Sequence, residues 1–219
     1  MNSNNRKQIN YVHSFGKWFF WLIFKFFWRI KVYGHKNIPP QGGVIVAANH
    51  SSLVDPPVLG SAMKREANYL AKQELFRIPI FGNILRRVNA FPVKRGESDI
   101  LALKRARRLL EEGKLVILFP EGTRNRTGKL LRGRPGIGIL TVWTGVPIVP
   151  ALIRNTNRLF HFPRLEVHFA PPLYFSNSGD NYPKDREYYQ KITDEVMQKI
   201  SEMKKSNCRI NSHLVGIYG

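Results

Sequence analysis

His50 and Asp55, in the stretch Asn49-His50-Ser51-Ser52-Leu53-Val54-Asp55-Pro56, are the residues of this chain best suited to proton-transfer chemistry. An imidazole accepts a proton near neutral pH, and a carboxylate facing its other nitrogen holds the ring in the tautomer that can do so. The stretch follows a short apolar run, Val44 to Ala48, that predicts a buried strand. Asp55 and Pro56 open the next segment, a pairing that suits the N-cap and first turn of a helix. A histidine at a strand end and an acid at the next helix start can face each other across one turn. Residue types alone leave the matter open, because a polar turn of Asn, His and Ser needs no chemistry to explain it.

A second polar cluster, Pro120-Glu121-Gly122-Thr123-Arg124-Asn125-Arg126, follows the apolar run Lys114 to Phe119. Arginine binds phosphate through paired hydrogen bonds, so Arg124 and Arg126 are natural ligands for one. Glu121 would repel that anion, and is expected to orient an arginine or to accept a substrate hydroxyl. Lys94-Arg95 stands after a third run, Asn89 to Val93. If these strand ends gather at one sheet edge, a general base lies beside a cluster of cations. Other chemistries find less support. Gly122 to Lys129 has one residue too many for a phosphate-binding P-loop, and Leu130 where Ser or Thr should follow the lysine. No Gly-x-Ser-x-Gly elbow occurs. The remaining histidines show no metal-ligand spacing, so no metal is expected.

Strands alternating with helices must position these groups. Ala67 to Ala71, Val146 to Leu152 and Leu165 to Phe169 also read as strands. Helices are predicted from Ser98 to Glu112 with Gly113 past its end, near Ile137 to Thr144, and from Lys184 to Lys205. The pattern predicts an α/β fold with a mixed, largely parallel sheet and helices on its faces. Ligands bind at the strand ends of such sheets. His168 alternates with Val167 and Phe169 and reads as a strand residue on the polar face.

Residues 15–34, FGKWFFWLIFKFFWRIKVYG, precede that domain. The unbroken apolar run from Trp18 to Phe24 is far shorter than the about 20 residues needed to span a bilayer. Drawn as a helix, Lys17, Lys25 and Arg29 fall within an arc of roughly 120°. Phe20, Ile23, Phe26, Phe27 and Ile30 lie mostly opposite or beside it. That pattern predicts an amphipathic helix lying in the membrane interface; a helix packed on the domain and a tilted span that carries Lys25 into lipid are the alternatives. The expected organisation is a polar and membrane-associating segment over 1–34, a catalytic domain over 35–206 and a tail over 207–219. The 35 Lys and Arg against 15 Asp and Glu give a net charge of +20, which calls for anionic partners: nucleic acid, an acidic membrane or phosphorylated substrates. The aromatics lack the pattern of an RNA-binding sheet. One cysteine, Cys208, excludes an intrachain disulfide.

Four blocks in order carry a family resemblance. Asn49 to Asp55 resembles the histidine-four-residues-aspartate motif of the glycerolipid acyltransferases, and Phe119 to Arg126 resembles their second hallmark. Arg87 to Gly96 is similar to the block between them, and Val146 to Ala151 to the final block. The likeness covers about residues 30 to 155 and is nearest to the short, single-domain 1-acyl-sn-glycerol-3-phosphate (lysophosphatidic acid) acyltransferases. It implies transfer of a fatty acyl group from a thioester to the 2-hydroxyl of lysophosphatidic acid, giving phosphatidic acid for phospholipid biosynthesis. His50 would be the general base oriented by Asp55, with direct attack and no acyl-enzyme. Arg124, with Lys94 or Arg95 and Arg126, would hold the acceptor phosphate, and Glu121, Gly122 and Thr123 would shape its site. No cofactor is implied beyond acyl-CoA or acyl-acyl carrier protein as co-substrate. The expected partner is a phospholipid surface, with peripheral or monotopic attachment on the cytoplasmic face and no nucleic acid. Glycerol-3-phosphate or another lysolipid is the alternative acceptor. A non-enzymatic basic protein binding membranes or nucleic acid is the reading from charge alone.

Overall fold

The computed structural model describes residues 21–79, 82, 90–93, 99–125, 127, 129–175 and 185–215. Seven strands form one sheet: β1 (Lys31–Tyr33), β2 (Val44–Ala48), β3 (Ala67–Lys72), β4 (Ala90–Val93), β5 (Leu115–Leu118), β6 (Ile148–Arg154) and β7 (Glu166–Phe169). Their order is β1-β7-β6-β2-β5-β3-β4, and among the described residues every pairing except β6–β7 is parallel. The mixed, largely parallel sheet read from the sequence is therefore present. β2 and β5 are buried along their whole lengths, as strands covered on both faces must be.

The two faces are covered by different helices. Helix α1 (Asp55–Ser61) and the helical segment 21–28 pack on one face, where Phe24, Val58, Leu59 and Met63 join Val46, Ala48 and Ile153. Helices α2 (Asp99–Glu111), α3 (Gly136–Thr144) and α4 (Arg186–Val215) pack on the other, where Leu110, Ile137, Leu140, Ile192 and Val196 meet Ile45, Ala47 and Leu152. The chain after β2 thus leaves toward one face and the chain after β5 toward the opposite face. Adjacent parallel strands whose connections diverge leave a crevice at their carboxyl ends. His50 follows β2 and Glu121 follows β5, so both sit at that crevice. β4 runs parallel to β3, and β3 to β5, so the carboxyl end of β4 lies at the same sheet edge.

Two expectations change. The helical reading through residue 34 ends at residue 28, where Arg29 takes a left-handed φ of 47° and the Ile30 N–H bonds the Phe24 carbonyl. Beyond it Ile30-Lys31-Val32-Tyr33 alternates apolar and polar residues, the period of a strand, and Lys31–Tyr33 pairs with β7. Tyr33 stacks on His168 at 4.5 Å. The last helix runs past the expected end at Lys205 to Val215, in a stretch with no glycine or proline to stop it.

Where α3 crosses α4, the backbones touch. A methyl group added at Gly138 would stand 2.0 Å from the Tyr189 carbonyl oxygen, which belongs to a backbone that cannot yield as a side chain would. Gly138→Ala should therefore force the two helices apart and cost about 1–3 kcal/mol, read as a lower midpoint in urea unfolding.

Candidate active site

Asp55 is fully buried, and its carboxylate gathers four donors. Oδ2 accepts the Ser51 N–H at 2.6 Å and the Ser52 N–H at 2.7 Å, and lies 2.9 Å from His50 Nδ1. Oδ1 accepts the Thr156 hydroxyl at 2.5 Å. Asp55 is the first residue of α1 rather than its N-cap, which is Val54. The reason lies in the next two residues. Pro56 and Pro57 offer no N–H for a capping carboxylate, so the side chain turns back into the preceding loop.

An ionised carboxylate only accepts hydrogen bonds, so each of these groups points its proton at Asp55. His50 then carries its proton on Nδ1, which leaves Nε2 with a free lone pair. The Thr156 proton goes to Asp55, so in the 3.0 Å contact between Ser51 Oγ and Thr156 Oγ1 the serine is the donor. The Ser51 hydroxyl proton is therefore turned away from the imidazole. Such an arrangement can act as a base with its orienting acid, while the Ser51 hydroxyl points away from the imidazole.

The main chain of His50 is fixed from the β5 side. Its N–H donates to Glu121 Oε1 at 3.0 Å, and its carbonyl accepts the Asn125 N–H at 2.7 Å. The ring stacks on Phe119, with centroids 4.1 Å apart and planes at 21°. Glu121 is 4% exposed and its other oxygen, Oε2, accepts the Leu131 N–H at 3.0 Å. Of the two roles expected for Glu121, the orienting of an arginine is not seen among the described residues. A buried carboxylate needs donors for both oxygens, and the adjacent backbone supplies them.

Gly122 has φ 66°, and a methyl group there would meet Arg134 Nε at 2.7 Å, so the arginine lies directly across it. Thr123 and Arg124 are exposed on the same loop. The expected phosphate ligands Lys94, Arg95 and Arg126 lie outside the described residues.

Four positioning residues were not singled out from the sequence. Asn49 donates to the Ile153 carbonyl at 2.9 Å and accepts its N–H at 2.8 Å, which clamps the end of β2 to β6. Asn125 accepts from the Thr127 N–H and hydroxyl and donates to the Lys129 carbonyl, which ties these three residues together. Thr156 closes the network on Asp55 from a turn 101 residues away in sequence. Arg154 becomes a site residue because β6 runs two residues beyond its expected end at Leu152. No local signal marks Thr156 or Arg154. Asn49 and Asn125 do flank the two chemical clusters, and polar residues able to bond backbone at strand ends are the clue they offered.

These loops enclose a cleft of about 320 Å³. Asn49, His50, Ser51, Glu121 and Asn125 line one part, and Lys129, Arg154, Arg158 and Lys204 bring positive charge to the rest. Neither Thr123 nor Arg124 lines it. Among the described residues no three His, Cys, Asp or Glu side chains stand close enough to share a metal ion.

Replacing Thr156 by Val keeps the shape and removes one donor from a buried carboxylate. The expected cost is about 1–3 kcal/mol of stability, measured by chemical denaturation, together with a fall in any activity that depends on His50.

Comparison with known proteins places this geometry. Residues 29–154 match the acyltransferase family. Over 178 residues the chain is 30% identical to the 1-acyl-sn-glycerol-3-phosphate acyltransferase of Bacillus subtilis, spanning 80% of this chain and 87% of that protein. Over 134 residues it is 34% identical to the protein of that name from Borreliella burgdorferi, spanning 60% and 54% of the two chains. The crystal structure of PlsC, a 1-acyl-sn-glycerophosphate acyltransferase from Thermotoga maritima, is similar with a TM-score of 0.68 and 29% identity. That likeness covers 93% of this chain and 84% of the other.

Proposed function

The chain belongs to the acyltransferase family, and on that premise we propose that it moves a fatty acyl group from a thioester to the 2-hydroxyl of 1-acyl-sn-glycerol-3-phosphate. The product is phosphatidic acid, a precursor for phospholipid synthesis. The observation that carries this reading is the His50–Asp55 pair, with Nδ1 facing the carboxylate at 2.9 Å and Nε2 left to accept a proton. The relatives from B. subtilis, B. burgdorferi and T. maritima, whose names specify this acceptor, supply its identity.

His50 Nε2 takes the hydroxyl proton as the acceptor oxygen attacks the thioester carbonyl. Asp55 stabilises the imidazolium so formed. The tetrahedral oxyanion then collapses, the carbon–sulfur bond breaks, and the departing thiolate takes the proton back from His50. A thioester is already activated, so no covalent acyl-enzyme intervenes. Arg124 holds the acceptor phosphate, with Arg126 two residues on in sequence and with Lys94 or Arg95, which follow β4 in sequence. Glu121 fixes the backbone of the base, and Gly122 and Thr123 shape the loop that carries Arg124. The donor is acyl-CoA or acyl-acyl carrier protein.

The acceptor is a membrane lipid, and the protein is built to meet it at a surface. No described helix is long and apolar enough to cross a membrane. Helical segment 21–28 packs inward through Phe24 and Trp28, not through the residues opposite its lysines. The Trp28 indole N–H donates to the Leu159 carbonyl at 2.8 Å, and its ring stacks on Phe162 at 5.4 Å. Phe26 at 78% exposure and Phe160 at 92% project from this joint, with Leu22, Phe27 and Phe162 also exposed. Lys25 and Arg29 lie among them. An aromatic patch edged with cations suits the headgroup region of an anionic bilayer. Attachment is peripheral or monotopic, on the cytoplasmic face where the thioester donors are made.

His50→Ala should lower acyl transfer to lysophosphatidic acid by about 10³-fold or more, while sedimentation with anionic vesicles is unchanged. Transfer at the wild-type rate by this variant would overturn the reading. Phe26→Ser and Phe160→Ser should each weaken vesicle binding by about tenfold with no change in folding.

A further inference from the structure

Two strand ends flank the one that carries the base. In the sheet β2 lies between β5 and β6, and it runs parallel to both, so the three carboxyl ends share one edge. His50 follows β2, Arg124 follows β5 and Arg158 follows β6. Of these two arginines only Arg158 lines the cleft that His50 lines. Arg154, which also lines it, pairs with Glu166 at 3.3 Å, whereas no carboxylate pairs with Arg158 among the described residues. Glu121, the one carboxylate among the cleft's described lining residues, already accepts two backbone N–H groups.

The main chain around Arg158 is held on both sides. Thr156, two residues before it, donates its hydroxyl to Asp55 at 2.5 Å. The carbonyl of Leu159, the next residue, accepts the Trp28 indole N–H at 2.8 Å. The Arg158 N–H donates to the Asn155 carbonyl at 3.1 Å, and the Asn155 side-chain amide donates to the Arg164 carbonyl at 2.7 Å. The 3₁₀ turn Thr156–His161 is thus fastened at its start to the carboxylate that orients the base. Further along it is fastened to helical segment 21–28.

The same turn meets the aromatic patch. Phe160 is almost fully exposed on it, and Phe162, just past its end, stacks on Trp28. Two residues of chain reach no more than about 7 Å, so the backbones of Arg158 and Phe160 stand within that distance. A lysolipid keeps its acyl chain in the bilayer and its phosphate at headgroup depth, the depth that suits an exposed aromatic patch edged with cations. Arginine binds a phosphate monoester through two parallel hydrogen bonds. We propose that Arg158 holds the phosphate monoester of the lysolipid acceptor in the cleft that His50 lines. The inference rests on the acyltransferase reading. It adds a specificity-determining residue on the strand end that flanks β2 opposite to the one leading to Arg124.

The test compares two acceptors that differ by this phosphate, lysophosphatidic acid and 1-monoacylglycerol with the same acyl chain. Each is presented to the full-length chain in vesicles of phosphatidylcholine with phosphatidylglycerol in fixed proportion. The donor is whichever of acyl-CoA and acyl-acyl carrier protein wild type uses. Wild type should prefer lysophosphatidic acid by about tenfold or more in kcat/KM. Arg158→Ala should lower that preference by about fivefold, through a higher KM for lysophosphatidic acid, with donor KM and sedimentation with the vesicles unchanged. Arg158→Lys should keep part of the preference, which separates lost charge from lost structure. An unchanged acceptor ratio in Arg158→Ala would overturn the inference while leaving the acyltransferase reading intact. So would a higher donor KM at a constant acceptor ratio, since the cation would then serve the donor. A loss of vesicle binding as large as the loss of transfer would also overturn it, since Arg158 would then be a docking charge. A wild type that acylates neither acceptor would overturn the acyltransferase reading and this inference together.

Discussion

The Asp55 carboxylate is the interaction on which the site depends. A buried charge is tolerated only when it is fully met by donors. Here the donors come from three places: the backbone of Ser51 and Ser52, the imidazole of His50, and the hydroxyl of Thr156. Meeting the needs of one anion therefore fixes the loop after β2, the orientation of the catalytic ring and the turn after β6. Pro56 and Pro57 favour this outcome, because they offer the carboxylate no N–H and the next one, of Val58, bonds the Val54 carbonyl. The same hydrogen bonds direct the Ser51 proton toward Thr156, away from the imidazole.

The sheet supplies the setting for that anion. β2 and β5 are neighbours with divergent connections, so their carboxyl ends frame a crevice that each loop enters from a different side. Glu121 and Asn125 then lace the second loop to the backbone of His50, and Asn49 laces the first to β6. Exposed aromatics gather around helical segment 21–28 and the turn after β6, and that turn also lines the cleft through Asn155, Asn157 and Arg158.

Much of this was legible in the sequence. Continuous apolar runs marked β2 and β5, and a helix-to-strand rhythm marked the parallel sheet, because those patterns follow directly from burial on two faces. The His50–Asp55 pairing was legible for the same reason, since five residues of strand-to-turn chain leave the two side chains few other arrangements. What escaped was non-local. Thr156 is an ordinary threonine until the fold carries it to Asp55, and Arg158 and Lys129 are ordinary surface charges until their loops turn them into a cleft. The backbone N–H groups that Glu121 accepts from escaped as well, because no sequence pattern displays such partners. The aromatic segment was read as one long helix because its bulk of Phe and Trp hid the alternation of Ile30 to Tyr33. Its inward face, set by Phe24 and Trp28, was fixed by contact with Leu159 and Phe162 and not by the positions of its lysines.

Asp55 holds the proton of the neutral imidazole on Nδ1 and leaves Nε2 open, as the proposed reaction requires. Nitrogen-15 NMR of the histidine rings, with His50 identified by its loss in His50→Gln, reads this directly in the resting protein. At a pH where the ring is neutral, the account expects a directly bonded proton on His50 Nδ1 and an unprotonated Nε2. It also expects that pattern to be lost in Asp55→Asn. A proton on Nε2, or a tautomer indifferent to the loss of the Asp55 carboxylate, would contradict it.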